Sequence, residues 1–353
     1  MTRLKDLLLH RIRSDGPMSV AAYMAECLLH PDHGYYTTRL PFGGSGDFTT
    51  APEISQMFGE LLGLALARSW LDQGAPDRFT LAEFGPGRGT LMADVLRATR
   101  GVPGFHAAMQ IVLMEASPLL RAVQKTTLAS YAVHRIDQAD DLPDQPLFLL
   151  ANEFFDALPI RQFVRSVRGW HERLIGETDG RLGFGLSPPI PADAFDLRFV
   201  GDPPETLVEL CPAATIPIQV ASDRIRRHGG VALIADYGGW RSKGDTLQAL
   251  RSHAFADPLE DPGKADLTAH VDFEALVLAS GLGHAYADQG KVLKTLGIEA
   301  RAHVLAGHLS GQALDIHFDA VQRLTGPHEM GELFKILALF PKAAPMPPGF
   351  SDA

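Results

Sequence analysis

The chain has 353 residues, a formal net charge of −10 and two cysteines, Cys27 and Cys211. At about 100–200 residues per domain this is one large domain or two modest ones, and 46% hydrophobic with 21% charged residues is the balance of a globular enzyme. The acidic excess argues against nucleic acid and anionic membrane surfaces as partners, while two cysteines exclude a disulfide framework and a four-cysteine zinc site.

Residues 2–13 and 18–29 read as two helices split by the turn signal Ser14-Asp15-Gly16-Pro17. Residues 30–49, with Gly43-Gly44-Ser45-Gly46, read as an ordered or lid-like loop. A long helix follows, with Thr50 as its cap, Pro52 in its first turn and Glu53 at its positive end. From residue 78 short apolar strands alternate with helices: strand Phe79–Phe84, helix Leu91–Ala98, strand Ile111–Met114, helix Pro118–Leu128, then strands Leu147–Ala151 and Val231–Ala235. Such alternation predicts a parallel sheet covered on both faces.

Between those last two strands, Gln162–Val167, Trp170–Ile175, Arg181–Leu186 and Leu207–Leu210 read as short antiparallel strands. Helix Phe273–Ala279 and strands Ala285–Asp288 and Phe334–Phe340 resume the core, and the tail with Pro345, Pro347, Pro348 and Gly349 is expected to fray. The expected organisation is an N-terminal helical extension and lid over 1–75, a core over 76–159 and 223–342, an inserted substrate-side subdomain over 160–222, and a tail over 343–353.

The informative turn is Glu83-Phe84-Gly85-Pro86-Gly87-Arg88-Gly89-Thr90, which leaves a strand and opens a helix. In an open α/β sheet such turns lie at the carboxyl ends of strands, where ligands bind. A dinucleotide fingerprint wants its third glycine at position 90, where Thr90 stands, and no Lys-Ser or Lys-Thr follows as in a phosphate loop. The spacing E-x-G-x-G-x-G is that of S-adenosylmethionine sites. That ligand carries a sulfonium and an ammonium but no phosphate, so Glu83 beside it is tolerable, whereas beside a pyrophosphate it would repel. Glu83, Gly85, Pro86, Gly87 and Gly89 are therefore the candidate cofactor turn; a purely structural glycine turn is the bland reading.

Glu115, at the end of the second strand, can accept both ribose hydroxyls, although it lies further along than the ~20 positions usual for this fold. Asp137 is a candidate for the adenine side, with a solvated acidic loop at Asp137, Asp140 and Asp141 as its alternative. The third strand ends in Asn152-Glu153-Phe154-Phe155-Asp156. Methyl transfer is an in-line displacement dominated by positioning. Aromatic faces suit a sulfonium, and carboxylates orient a guanidinium, which stays charged. Glu153 and Asp156 are thus the candidate catalytic acids and Asn152 a cofactor contact; helix capping is the alternative role for the acids. His30 and His33 lack a third ligand at metal spacing, so no metal is expected. His270, between Asp266 and Asp272, is a weak candidate proton acceptor beside a buried structural histidine.

Several segments together resemble the MidA-type methyltransferases, the group that includes the seventh mitochondrial complex I assembly factor and its bacterial relatives. They are His30–Tyr36, Gly46–Glu60, Glu83–Thr90, Asn152–Pro159, Asp266–Phe273 and Met330–Lys335, spanning nearly the whole chain. The resemblance implies an α/β class I methyltransferase fold, a Rossmann-like doubly wound sheet with an inserted, partly antiparallel subdomain and an N-terminal helical extension. It implies S-adenosylmethionine as cofactor and a protein partner as substrate, with symmetric dimethylation of an arginine on a respiratory complex I subunit. Phe84 and Gly239 depart from the family pattern. A small-molecule methyltransferase of the same fold, and a non-catalytic assembly factor that retains cofactor affinity, are the alternatives. A homodimer is compatible with the chain, and a bacterial cytoplasmic location is expected ahead of the mitochondrial matrix.

Overall fold

The computed structural model describes residues 3–39, 49–190 and 197–350. The glycine-rich stretch 43–46 lies outside these residues.

Helices α1 (Arg3–Asp15) and α2 (Val20–Leu29) flank a two-residue strand, β1 (Met18–Ser19). Ser19 starts α2 by accepting from the Ala22 N–H. Tyr35–Thr38 forms a short helix, α3, so part of the expected loop is helical. The expected long helix is two: α4 (Ala51–Ile54) and α5 (Gln56–Asp72). Ser55 has extended backbone and its side chain caps α5 through the Met57 N–H, while Thr50 makes no side-chain cap bond. The break comes from Ser55, whose hydroxyl competes for backbone partners.

The core then runs β2 (Phe79–Phe84), α6 (Thr90–Ala98), α7 (Phe105–Ala108), β3 (Met109–Met114), α8 (Pro118–Thr127), β4 (Val133–Ile136) and β5 (Leu147–Asn152). The insertion contributes β6 (Arg161–Ser166), β7 (Gly169–Thr178), β8 (Arg181–Leu186) and β9 (Leu207–Leu210). Next come α9 (Thr215–His228), β10 (Gly230–Gly239), β11 (Gln248–Arg251), β12 (Ala254–Ala256), β13 (Asp266–Thr268), β14 (Val271–Asp272), α10 (Phe273–Ser280) and β15 (Gly283–Asp288). The chain closes with α11 (Gln289–Thr295), α12 (Ile298–Ala306), α13 (Gln312–Thr325), α14 (Met330–Leu333) and β16 (Phe334–Phe340). The helices of 289–325 carry no strong sequence signal; their first turns lack a side-chain cap bond.

The main sheet has the order β15-β16-β10-β5-β2-β3-β4. Strands β10, β5, β2, β3 and β4 are parallel; β16 runs antiparallel to both β10 and β15. The chain builds β2, β3 and β4 outward and then crosses back to place β5 on the other side of β2. That reversal makes a crevice at the carboxyl ends of β2 and β5, the general ligand position of such sheets. Every residue of β2 and β5 is buried. Phe79, Leu81, Phe148 and Leu150 join one core with α5 and α6; Ala82, Phe84, Leu149 and Ala151 join a second with α9 and α10. Alternation by two puts Glu83 and Asn152 on the first of these faces, at the rim.

The insertion strands form a separate antiparallel sheet, β1-β7-β6-β9 with β8 on β7. Its β1 strand comes from the N-terminal segment, and Leu4, Leu8, Tyr23 and Met24 share a core with Ile160, Ile175 and Leu267. The start of the chain therefore packs against the insertion. Residue 222 falls inside α9. The tail does not fray over its described part: Met346 and Phe350 pack on the first core, because apolar side chains outweigh the prolines between them.

Candidate functional site

The glycine turn is a left-handed staircase. Gly85, Gly87 and Gly89 have φ of +64°, +51° and +80°, a region that side chains with a Cβ seldom enter. Gly89 precedes the first turn of α6, and its N–H closes the turn on the Pro86 carbonyl at 2.7 Å. A Cβ on Gly85 would stand 2.9 Å from the Phe154 ring, so the turn and the loop after β5 are in contact. Pro86 is buried within the turn.

Two concavities meet at this turn. The larger, about 850 Å³ and open to solvent, is lined by Gly85, Gly87, Glu115, Asp137, Glu153 and Phe154, with Leu28 and Tyr36 from the N-terminal segment closing its far wall. The smaller, about 390 Å³, is lined by Glu83, Pro86, Asn152, Glu153 and Glu53. Gly85, Gly87 and Glu153 face both.

Glu83 is 2% exposed. Burial, then the charge of Glu115, pushes its carboxyl up to about 8, against a donated Met92 N–H. Glu115 accepts from the Ser117 N–H at 2.8 Å and from the Gln124 amide at 3.3 Å; burial still raises it to about 7. Gln124 also donates to the Gly87 carbonyl at 2.8 Å, tying the turn to Glu115. No sequence signal marks Gln124; it lies on the buried side of α8. Asp137 is different: its side chain is 83% exposed and pairs with Arg121 at 2.6 Å.

The loop after β5 carries the second set. Glu153 has φ +50°, left-handed backbone at a residue with a Cβ, which costs of order 1–3 kcal/mol and recurs at functional sites. Its Oε1 accepts from the Ala51 N–H at the start of α4 and from the Asn152 amide, both at 3.1 Å. Glu153 thus does part of the capping work that was its alternative role. Burial raises its carboxyl to about 7, with the Asp266 charge adding to the rise. Asp156 is 5% exposed and also raised to about 7, first by burial and then by Glu153. The loop is held from behind by Asp236, whose Oδ2 accepts from the Phe155 and Asp156 N–H groups at 3.0 and 3.3 Å. Asp236 is fully buried, and burial pushes it well above the carboxylate range. Tyr237 donates to Thr268 and meets the His270 ring edge-on at 5.4 Å; burial lowers His270.

Glu83 Oε2, Gln124 Oε1, Asn152 Oδ1 and Asp156 Oδ1 are buried without a hydrogen-bond partner. Unsatisfied buried acceptors are rare in folded proteins. Acceptors here suit a ligand rich in donors, such as a nucleoside with two hydroxyls and an ammonium. Among the described residues no group of three or more His, Cys, Asp or Glu is arranged to hold a metal, and no helix is long and apolar enough to cross a membrane. The rings of His30 and His33 stack at 4.9 Å.

A family model described as S-adenosyl-L-methionine-dependent methyltransferase matches residues 61–287. The mitochondrial protein arginine methyltransferase NDUFAF7 of Mus musculus is 40% identical, over 95% of this chain and 83% of its own length. The homolog of Drosophila melanogaster is 36% identical, over 94% and 83%. The crystal structure of a COG1565 superfamily member from Burkholderia thailandensis, bound to S-adenosyl-homocysteine, superposes with a TM-score of 0.82 at 30% identity, covering 99% of this chain and 93% of that one. These relatives correct one expectation: a bacterial cytoplasmic location is overturned by matches named as mitochondrial proteins.

Proposed function

The chain belongs to this family of S-adenosyl-L-methionine-dependent methyltransferases and uses that cofactor; from this premise we propose that its acceptor is the guanidinium of a protein arginine side chain. The observation that carries the reading is the pair of buried carboxylates, Glu153 and Asp156, on a strained loop that touches the glycine turn. The names of the relatives support the same acceptor. We extend it to symmetric dimethylation, and to a respiratory complex I subunit as the protein.

In this reading the turn Gly85-Pro86-Gly87-Arg88-Gly89 lets the backbone approach the cofactor, Glu115 accepts from the ribose hydroxyls, and Glu83 and Asn152 face its cationic end. The cofactor, when bound, supplies an electrophilic methyl on a sulfonium. Glu153 and Asp156 fork the guanidinium and aim one nitrogen, which is most of what such a displacement needs. When that nitrogen takes the methyl it must lose a proton. A carboxylate raised to about 7 is a better acceptor for it than an ordinary one near 4. The Phe154 face in the cleft favours the sulfonium.

The test is transfer of labelled methyl from S-adenosylmethionine to mitochondrial protein, with the product residue identified by mass spectrometry. Label on arginine that disappears with Gly87→Val or Glu83→Ala is expected. Label confined to small molecules would refute the arginine acceptor and leave the methyltransferase standing.

A further inference from the structure

The two concavities at the glycine turn are walled by acids. Glu115, Asp137 and Glu153 line the larger, and Glu53, Glu83 and Glu153 the smaller. Among the described residues Arg88 is the one basic side chain that lines either of them. Arg88 belongs to the turn but not to its glycine spacing, so the approach of the backbone to the cofactor gives its side chain no task.

The guanidinium of Arg88 is available to a ligand. Its side chain is 43% exposed, and its Nη1 stands 3.5 Å from Glu53 Oε2, the outer limit of a hydrogen bond. A guanidinium carries N–H donors on all its nitrogens, and among the described residues this one makes no other bond. Glu53 itself is fixed: its Oε1 accepts from the hydroxyl of Thr90, the first residue of α6, at 2.5 Å. Glu53 stands on α4, whose Ala51 N–H donates to Glu153. α4 is therefore tied both to the glycine turn and to the loop after β5, and it keeps Arg88 at the smaller concavity.

That concavity asks for a ligand of mixed charge. Glu83 Oε2 and Asn152 Oδ1 are buried acceptors without donors, and both residues line it. They suit the ammonium at the methionine end of the cofactor. The same end carries an α-carboxylate, which is costly against a wall of carboxyls unless a cation pairs with it. A planar guanidinium meets a carboxylate with two parallel hydrogen bonds.

We propose that Arg88 is the counter-ion of the cofactor's α-carboxylate and selects ligands with a complete amino-acid end over those that lack the carboxylate. The proposal rests on the cofactor assignment and not on the arginine acceptor. The nucleoside half lies with Glu115 in the larger concavity, which Arg88 does not line.

The experiment is calorimetric titration of the full chain with S-adenosylhomocysteine, its decarboxylated analogue and 5′-methylthioadenosine, which lacks the amino-acid end altogether. The wild type is expected to bind S-adenosylhomocysteine about 10-fold more tightly than the decarboxylated analogue, the size of a charged hydrogen bond. Arg88→Gln is expected to lose about 5-fold or more of that preference, through weaker S-adenosylhomocysteine alone. Arg88→Lys, which keeps the charge without the fork, recovers part of it. 5′-Methylthioadenosine stays within about 2-fold in both variants, since it reaches neither Arg88 nor its partners. A wild type indifferent to the carboxylate overturns the proposal, as does full preference in an Arg88→Gln protein that binds 5′-methylthioadenosine normally. Should that variant misfold, the wild type decides through the NMR signal of the Arg88 Nε–H, assigned by its loss in Arg88→Lys. The signal should shift with S-adenosylhomocysteine and not with the decarboxylated analogue; equal shifts, or none, overturn the proposal. No acceptor is present in these titrations, so failure of the arginine reading leaves every outcome unchanged.

Discussion

One wall of the site comes from two short stretches, the turn 83–90 and the segment 115–124, each joined by bonds between near neighbours in sequence. The facing wall takes Tyr36 from the N-terminal segment and Glu153 from the loop after β5, and is backed by buried Asp156 from the same loop, Asp236 from the next core strand and Asp266 from β13. The glycine turn of the first wall is written as spacing: three alternate glycines at positive φ and an acid. The second exists only when distant segments meet. Local geometry can be specified by a motif; a chamber of charges needs the whole fold to bring it together, and burial raises the carboxyls of Glu153, Asp156 and Asp236 within it.

The largest effect should come from the local wall. Gly85→Val puts a branched side chain at φ +64° with its Cβ 2.9 Å from the Phe154 ring. Neither the strain nor the clash has a cheap release, because Phe154 itself lines the cleft. Calorimetric titration with S-adenosylhomocysteine should show affinity reduced by roughly 100-fold or more, as ~3 kcal/mol of combined strain and displacement implies. Near-normal binding by a folded variant would mean that the turn can be rebuilt without its left-handed backbone, and the contrast between the two walls would dissolve.

This division also explains what the sequence made legible. The strands Phe79–Phe84, Leu147–Asn152 and Phe334–Phe340 are short, mostly apolar runs, and their length and their alternation with helical segments mark them as buried sheet. The glycine turn could be read because its spacing alone excluded a dinucleotide and a phosphate loop. Gln124 and Asp236 could not be read: one is a glutamine on a helix, the other an acid after an apolar strand, and only contacts across the fold reveal them. Asp266 lay inside a segment marked for His270, yet its partner is a tyrosine 230 positions away. The helices of 289–325 were missed for another reason. Their apolar faces are narrow, with Val292, Leu293, Ile298, Ala302 and Leu324 as their buried apolar residues, so tertiary packing rather than pattern defines them.

The distant wall can be broken separately through Asp236. Asp236→Ala removes the acceptor of three buried main-chain N–H groups, those of Phe155, Asp156 and Tyr237, and lets the loop carrying Glu153 and Asp156 move. Each orphaned donor costs about 1–3 kcal/mol. Methyl transfer should fall by about 30–100-fold in kcat, since misplaced catalytic groups lose rate steeply. Cofactor affinity should change by about 3-fold or less, because Asp236 lines neither concavity. Asp236→Asn keeps an acceptor oxygen and should restore much of the rate. Equal loss of cofactor binding and turnover would show that the walls are not independent.

A smaller, shared effect follows from burial. Glu83 is raised to about 8, and Glu115, Glu153 and Asp156 to about 7. A carboxyl that holds its proton more tightly when folded contributes stability that is complete below the unfolded value near 4. That contribution is lost as pH rises through the folded value. The cofactor-free protein should therefore melt at progressively lower temperature between pH 5 and about 8.5, by several degrees. Saturating S-adenosylmethionine should flatten the part due to Glu83, Glu115 and Glu153, which line the two concavities, and leave the part due to Asp156. A melting temperature that rises across this range would contradict the burial of these groups.

The smallest effect is expected where the first wall meets solvent. Asp137 lines the larger concavity but its side chain is 83% exposed and already paired with Arg121. Exposed ion pairs contribute about 0–1 kcal/mol, screened further by salt. Arg121 has other anchors, since it donates to the Glu115 carbonyl through Nε at 2.6 Å. Asp137→Ala should thus weaken S-adenosylhomocysteine by only about 2–3-fold, the affinity equivalent of ~0.5 kcal/mol. Glu115→Ala, which removes a buried acceptor fixed by Ser117 and Gln124, should cost at least ten times more. If the two substitutions cost the same, position along the first wall would not matter, and burial would lose its standing as the property that separates a binding carboxylate from a solvated one.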